Sequence, residues 1–308
     1  MTLDLGRLVG RAFAISWHHR WLWFLGVFGG VGVGLNLNPG VGGNFGSRRG
    51  AGQFGQFLSD HVALIVGAAA LLVAIALVAF VVSCVAVPAS IWATLELDAG
   101  REVRLGAAWR AGRSRFWRYL RLALLKSLIG MVVIALAGLL VALGFGAYRA
   151  GGDATLPLLV LGAVLLAFLM IALLVVVGLG LTWSDRLLVI LELGAVDSIR
   201  AGWWLFKRSK LDTIVLGIVF YVVRLMISIG IALVAGLVSI PGILMVVSYF
   251  ATQQAAVGLM IAGIVWIVVL GGAVELVGAG FTGALYQAGY AMAARDLSFS
   301  RGLQEVLA

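Results

Sequence analysis

Charge is what this sequence has least of. Of 308 residues, 11% are Asp, Glu, Lys or Arg while 63% are hydrophobic; a soluble domain usually carries about 25% charged residues. That leaves too little polar surface to cover a water-soluble fold, and the expected class is an all-α, polytopic membrane protein. Lysine is scarcer still, found only at 126, 207 and 210 among 22 cations. The single cysteine, Cys84, excludes an intrachain disulfide and a cysteine-pair metal site. His18 and His19 are adjacent and point to different helix faces, and His61 is remote, so no i, i+4 metal pair exists. No catalytic residue, metal or cofactor is expected. The first apolar run ends in Gly and Asn without an Ala-x-Ala site, so it reads as an anchor and no cleaved signal is expected.

The cations present are placed systematically. In Leu105 to Lys126, Leu105, Trp109, Gly112, Phe116 and Leu120 fall on one helical stripe, with Arg110, Arg115, Arg118 and Arg121 opposite. Two other stretches read alike: Leu5, Leu8, Val9 and Ala12 opposed by Arg7, Arg11 and His18, and Val196, Ile199, Trp203 and Phe206 edged by Arg200 and Lys207. Helices of this kind lie in a headgroup layer. The net charge of +9 therefore points to anionic phospholipid and away from nucleic acid. The expected headgroup contacts are Arg110, Arg115, Arg118, Arg121, Arg200, Lys207 and Arg208.

Apolar runs separate these helices. Six spans are expected, near residues 21–35, 62–95, 122–147, 156–181, 211–239 and 256–290. The first would reach only ~22 Å at 1.5 Å per residue, so it is thinly inserted or partly re-entrant. Its Gly26, Gly30 and Gly34 permit close helix contact. Residues 36–57 read as a glycine-rich loop without the Gly-Lys-Ser/Thr ending of a phosphate loop. Pro88 marks a kink or end within the second span, and Pro241 follows the end of the fifth. Residues 1–308 form one integral membrane domain of three helix-plus-hairpin repeats, about 4–95, 96–183 and 184–295; Leu95-Glu96-Leu97 and Leu191-Glu192-Leu193 precede the second and third surface helices. All of the 22 basic residues except Arg48, Arg49, Arg149 and Arg224 fall on one side of this map. That asymmetry places both ends in the cytoplasm.

Two ionisable residues fall inside spans, Arg224 in the fifth and Glu275 in the sixth, each ~16 to 22 Å from the inner face by helical rise. A mid-membrane arginine calls for a counter-charge, so the two are expected to meet. Gly217, Tyr221, Ser228 and Ala235 share the Arg224 face. Such a pair either lines a polar cavity or ion path, or is a buried salt bridge fixing the register of two helices.

Leu105-Gly106-Ala107-Ala108-Trp109-Arg110 ahead of Phe116-Trp117-Arg118 resembles a group of bacterial six-span proteins related to the membrane domain of glycerophosphoryl diester phosphodiesterases. Asp185-Arg186-Leu187-Leu188-Val189-Ile190-Leu191-Glu192, followed by Ile199-Arg200-Ala201-Gly202-Trp203-Trp204, is similar to that group's acidic-basic doublet and tryptophan-bearing surface helix. The resemblance implies a topology. No soluble barrel is expected after the last span and no His and Glu cluster is expected to hold a catalytic metal, so no catalytic residue is carried over. The expected function is a non-enzymatic protein of the bacterial inner (plasma) membrane that associates with anionic phospholipid and docks a cytoplasmic protein partner. The alternative is a small transporter or channel using Arg224 and Glu275.

Overall fold

The structure is a computed structural model that describes residues 4–31, 62–151, 156–252 and 257–300. The described residues are helical, with no strand among them. In chain order the helices are α1 (Leu5–His18), α2 (Trp21–Val31), α3 (Val62–Asp98), α4 (Leu105–Ser114), α5 (Phe116–Gly151), α6 (Leu156–Ile190), α7 (Ala195–Arg208), α8 (Lys210–Thr252), α9 (Val257–Trp266) and α10 (Gly272–Ser300). A π-helical turn, Ile267–Gly271, joins the last two without a break. Five stretches are long and apolar enough to cross a membrane: Val73–Asp98, Phe116–Leu136, Phe168–Ile190, Lys210–Tyr249 and Gly258–Ser300.

Buried side chains gather at one end of these helices, where the carboxyl ends of α3, α6 and α10 meet α1, α4 and α7. Cys84, Ile91 and Leu122 pack with Leu188; Trp183, Leu205 and Leu216 pack with Tyr290 and Met292; Leu22 and Leu25 pack with Ala86, Ala89 and Ala284. We call this the basic end. Toward the other end α8 and α9 still pack closely, Gly242 against Gly263, but elsewhere side chains lose their cover, and Val73, Leu77, Met131, Ile134, Phe168, Leu233 and Val268 are all exposed. Each such side chain gains about 1.5–3 kcal/mol from leaving water, so this half requires an apolar surrounding.

Small residues set the helix spacing. Gly26 of α2 lies directly on Gly280 and Gly283 of α10, backbone against backbone. Gly112 of α4 sits on the Val85 carbonyl and Ala89 of α3, and Gly202 of α7 on Ser184 and Gly180 of α6. The faces buried by α4 and α7 are therefore those of small residues. On α4 they are Ala108 and Gly112, the second on the expected stripe, with Leu105 of that stripe exposed; on α7 they are Ser198, Ala201, Gly202, Leu205 and Phe206, the last on the expected stripe, with Val196 outward and Trp203 part-exposed over Gly180. Close approach favours the side with no bulk to hold the helices apart, which hydrophobicity alone does not reveal. On α1 the expected face is the inward one, with Leu8 and Ala12 buried.

Other boundaries differ from expectation. The helix expected from Leu105 to Lys126 breaks at Arg115, whose amide bonds the Gly112 carbonyl at 3.0 Å. Pro88 and Pro241 lie inside α3 and α8, so α8 runs past Pro241 to Thr252, where the fifth span was expected to end before that proline. Trp266 Nε1 donates to the Val238 carbonyl at 2.9 Å, in the turn that Pro241 disturbs. Gly34 and the loop at 36–57 lie outside the described residues.

Gly283→Leu would force α2 off α10. Overpacking a tight contact costs about 1–3 kcal/mol or more, so thermal unfolding in detergent should fall clearly. Gly130→Leu on α5, where nothing lies within 4 Å, should leave it unchanged.

Candidate functional site

A continuously buried stretch of α6 is also charged. From Trp183 to Val189 every residue of α6 is buried, because α3, α5, α7, α8 and α10 surround the last turns of this helix. Asp185 and Arg186 lie within it. Successive residues on a helix point about 100° apart, so the two reach different neighbours. Asp185 faces α5, where Lys126 Nζ donates to its carboxylate oxygens at 2.8 and 2.9 Å and the Tyr119 hydroxyl also bonds it. Arg186 turns toward α10. Its Nη2 donates to Gln287 Oε1 at 2.9 Å, its Nη1 to the Thr182 carbonyl at 2.8 Å, and its guanidinium lies 5.6 and 5.4 Å from the Tyr286 and Tyr290 ring centroids.

Nη1 of Arg186 is also 3.3 Å from Asp185 Oδ2. This ion-paired set carries two cations for one carboxylate. Arg186 is 2% exposed, and its Nε has no partner among the described residues. Facing tyrosine rings offset part of the charge. Hydrogen bonding and stacking of this kind suit the set to locking three helices together and to meeting an anion.

Two further carboxylates tie distant segments to the same end. Asp98, with a side chain 2% exposed, accepts from Arg11 of α1 through Oδ1 and from Arg295 of α10 through Oδ2, the latter at 2.5 Å. Glu192 stands in the left-handed region at φ 53°, directing its side chain to Arg115 at 2.6 Å and its carbonyl to Arg118 at 3.1 Å. Sequence reasoning placed Arg11 on a solvent face and Lys126 at the end of a surface helix, and assigned neither a partner. The doublet of charge directly after a long apolar run was the available signal for Asp185 and Arg186.

Arg224 and Glu275 are not brought together. Phe220 packs on Gly289, Ile231 on Gly278 and Ser239 on Gly271, an antiparallel register that sets Arg224 level with Leu285 and Glu275 level with Ala235. The two are offset by about ten residues, roughly 15 Å. Both are exposed, and they form no ion pair among the described residues. Of the expected headgroup contacts, Arg110, Arg118, Arg121, Arg200, Lys207 and Arg208 are exposed. Arg115 is not free for that role: its side chain is 16% exposed and ion-paired with Glu192. Lys207 and Arg208 lie over the Trp203 and Trp204 rings, at 5.9 and 4.6 Å.

Asp185→Asn leaves two buried cations without a carboxylate, and breaking such a pair costs about 3–5 kcal/mol. Lys126→Met leaves Asp185 balanced by Arg186. Thermal unfolding in detergent should therefore fall much further for Asp185→Asn than for Lys126→Met.

Comparisons of the chain with protein-family models, with curated proteins and with solved structures find no match in any of the three.

Proposed function

We propose that this chain is a non-enzymatic, six-span protein of the bacterial inner membrane, with both ends in the cytoplasm, that holds anionic phospholipid against its basic end and presents that face to a cytoplasmic protein partner. The observation that carries the reading is the coincidence of exposed cations and exposed tryptophans at one end. Arg110, Arg121, Arg200 and Lys207 are exposed and take part in none of the ion pairs of the described residues. Trp17, Trp117 and Trp203 are exposed beside them. Tryptophan prefers the headgroup boundary, and each cation near an anionic surface contributes about 1 kcal/mol.

Parity supports the sixth crossing. Arg11 and Arg295 converge on Asp98, so both ends of the chain lie at the basic end and an even number of crossings separates them. The five apolar stretches are odd in number. Arg11 lies at the basic end and Val62, where α3 starts, at the far end, which agrees with a crossing ahead of α3. Repeats fit the element order: a short helix precedes two longer segments at α4 and at α7, and α1 stands in the same place ahead of α2 and α3. In the second and third, a glycine seats the short helix on the preceding long one. The resemblance to the membrane domain of glycerophosphoryl diester phosphodiesterases agrees with this topology and belongs to the same proposal. The alternative of a transporter built on Arg224 paired with Glu275 has no support from their offset.

Replacing Arg110, Arg121, Arg200 and Lys207 together by Gln should lower copurified anionic lipid several-fold relative to zwitterionic lipid, as read by mass spectrometry of extracts; an unchanged ratio overturns the lipid role. For topology, Asn44→Cys should react with a membrane-impermeant maleimide in intact cells. Ser114→Cys and Gly194→Cys should react only after permeabilisation.

A further inference from the structure

Helices α6 and α8 run antiparallel, and among the described residues their contacts lie near the basic end of the structure. Trp183 Nε1 donates to Thr213 Oγ1 at 3.2 Å. A methyl group on Gly217 would meet Leu179 Cδ2 at 3.7 Å and the Tyr290 hydroxyl at 3.6 Å. Beyond this floor the flanking side chains are exposed on both helices: Val175 and Val176 on α6, and Tyr221 and Leu225 on α8. The result is a V-shaped cleft with apolar walls. Arg224 is exposed, two turns past Gly217 and within about 20° of the same face, roughly 10 Å above the floor. The Cα–Cβ bond leans toward the helix N-terminus, which directs this side chain back toward the floor.

Both sides of the floor are cationic. Arg224 stands above it. Below, the Tyr286 and Tyr290 rings flank Arg186, whose Nε is buried and unpartnered among the described residues and whose cluster has one carboxylate for two cations. Asp185 is already engaged, and Glu275 is roughly 15 Å further along. A guanidinium facing hydrocarbon demands a counter-charge, and no carboxylate in a described span is placed to supply it.

We propose that this cleft takes the phosphate group of an anionic amphiphile, with Arg224 as its principal ligand and the acyl chains against Val175, Val176 and Leu225. Arginine's planar fork matches phosphate oxygens, and apolar walls match the chains. The inference rests on the membrane reading above and adds a discrete site to the diffuse basic surface.

The test uses the full chain in mild detergent, stripped of lipid and titrated with phosphatidylglycerol or inorganic phosphate, with bound species counted by native mass spectrometry. One phosphatidylglycerol should bind per chain. The affinity should fall about tenfold in R224Q, the worth of one charge-assisted hydrogen bond, and partially in R224K. Gly217→Leu fills the floor without changing charge and should weaken binding as well. Unchanged binding in R224Q, in protein that melts like the wild type, overturns the site. Inorganic phosphate binding as tightly as phosphatidylglycerol overturns the amphiphile. The quadruple surface variant should keep this one lipid while losing bulk anionic lipid. If it loses no bulk lipid while R224Q loses the single one, the surface role fails and the cleft stands.

Discussion

Carboxylates placed where a helix least favours them hold the basic end together. Asp98 ends α3, Asp185 lies in the last turns of α6, and Glu192 follows its carboxyl end, all near the negative pole of a helix dipole. Each is met by a cation from far along the chain: Arg11 and Arg295 reach Asp98 from 87 and 197 positions away, Lys126 reaches Asp185 across 59, and Arg115 reaches Glu192 across 77. Exposure ranks them. Asp98 and Asp185 have side chains 2% and 12% exposed, whereas Glu192 is 62% exposed, where a pair is worth roughly 0–1 kcal/mol. Charge thus fixes which helix ends meet, and the glycine contacts fix how closely. Neither does this alone, since apolar helices in lipid have little hydrophobic reason to choose one neighbour over another.

What could be read from the sequence follows the same division. Helicity, the long apolar segments and the small-residue crossing at Gly26 depend on local composition, and all are present in the structure. The expected stripes of α4 and α7 match the buried faces only at Gly112 and Phe206: a stripe chosen for hydrophobicity also takes in Leu105, Val196 and Trp203, which are exposed, and passes over Ala108, Ala201 and Gly202, which close packing selects. Pro241 reads as a terminator in an isolated helix. Here the neighbouring α9 supplies a tryptophan donor to the turn Pro241 disturbs, which periodicity along one helix does not reveal. The ionic contacts were the least legible part: nothing local to Arg11 or Lys126 indicates a partner some 59 to 87 residues away.

Arg224 and Glu275 show why depth is a poor guide to pairing. Counting residues inward from each span's end put both near mid-membrane, yet that count assumed where the last span ended. Helix α10 runs to Ser300, about ten residues beyond the assumed boundary at Tyr290, and the register through Gly289, Gly278 and Gly271 moves Glu275 toward the far end by a comparable distance. The error in depth and the offset between the two charges are the same quantity.

Confining the core to one end has a consequence for the other. Helices clamped at the basic end by buried ion pairs diverge as they leave it, because no glycine seat or ion pair among the described residues joins α6 to α8 beyond Gly217. Divergence costs little in lipid, where acyl chains replace the missing side-chain contacts with similar dispersion energy. It also leaves a polar side chain in such a gap without protein to satisfy it. A cation at Arg224 is therefore tolerable only if whatever fills the cleft brings an anion with it. The same packing economy that permits the helices to splay thus specifies the chemistry of what lies between them.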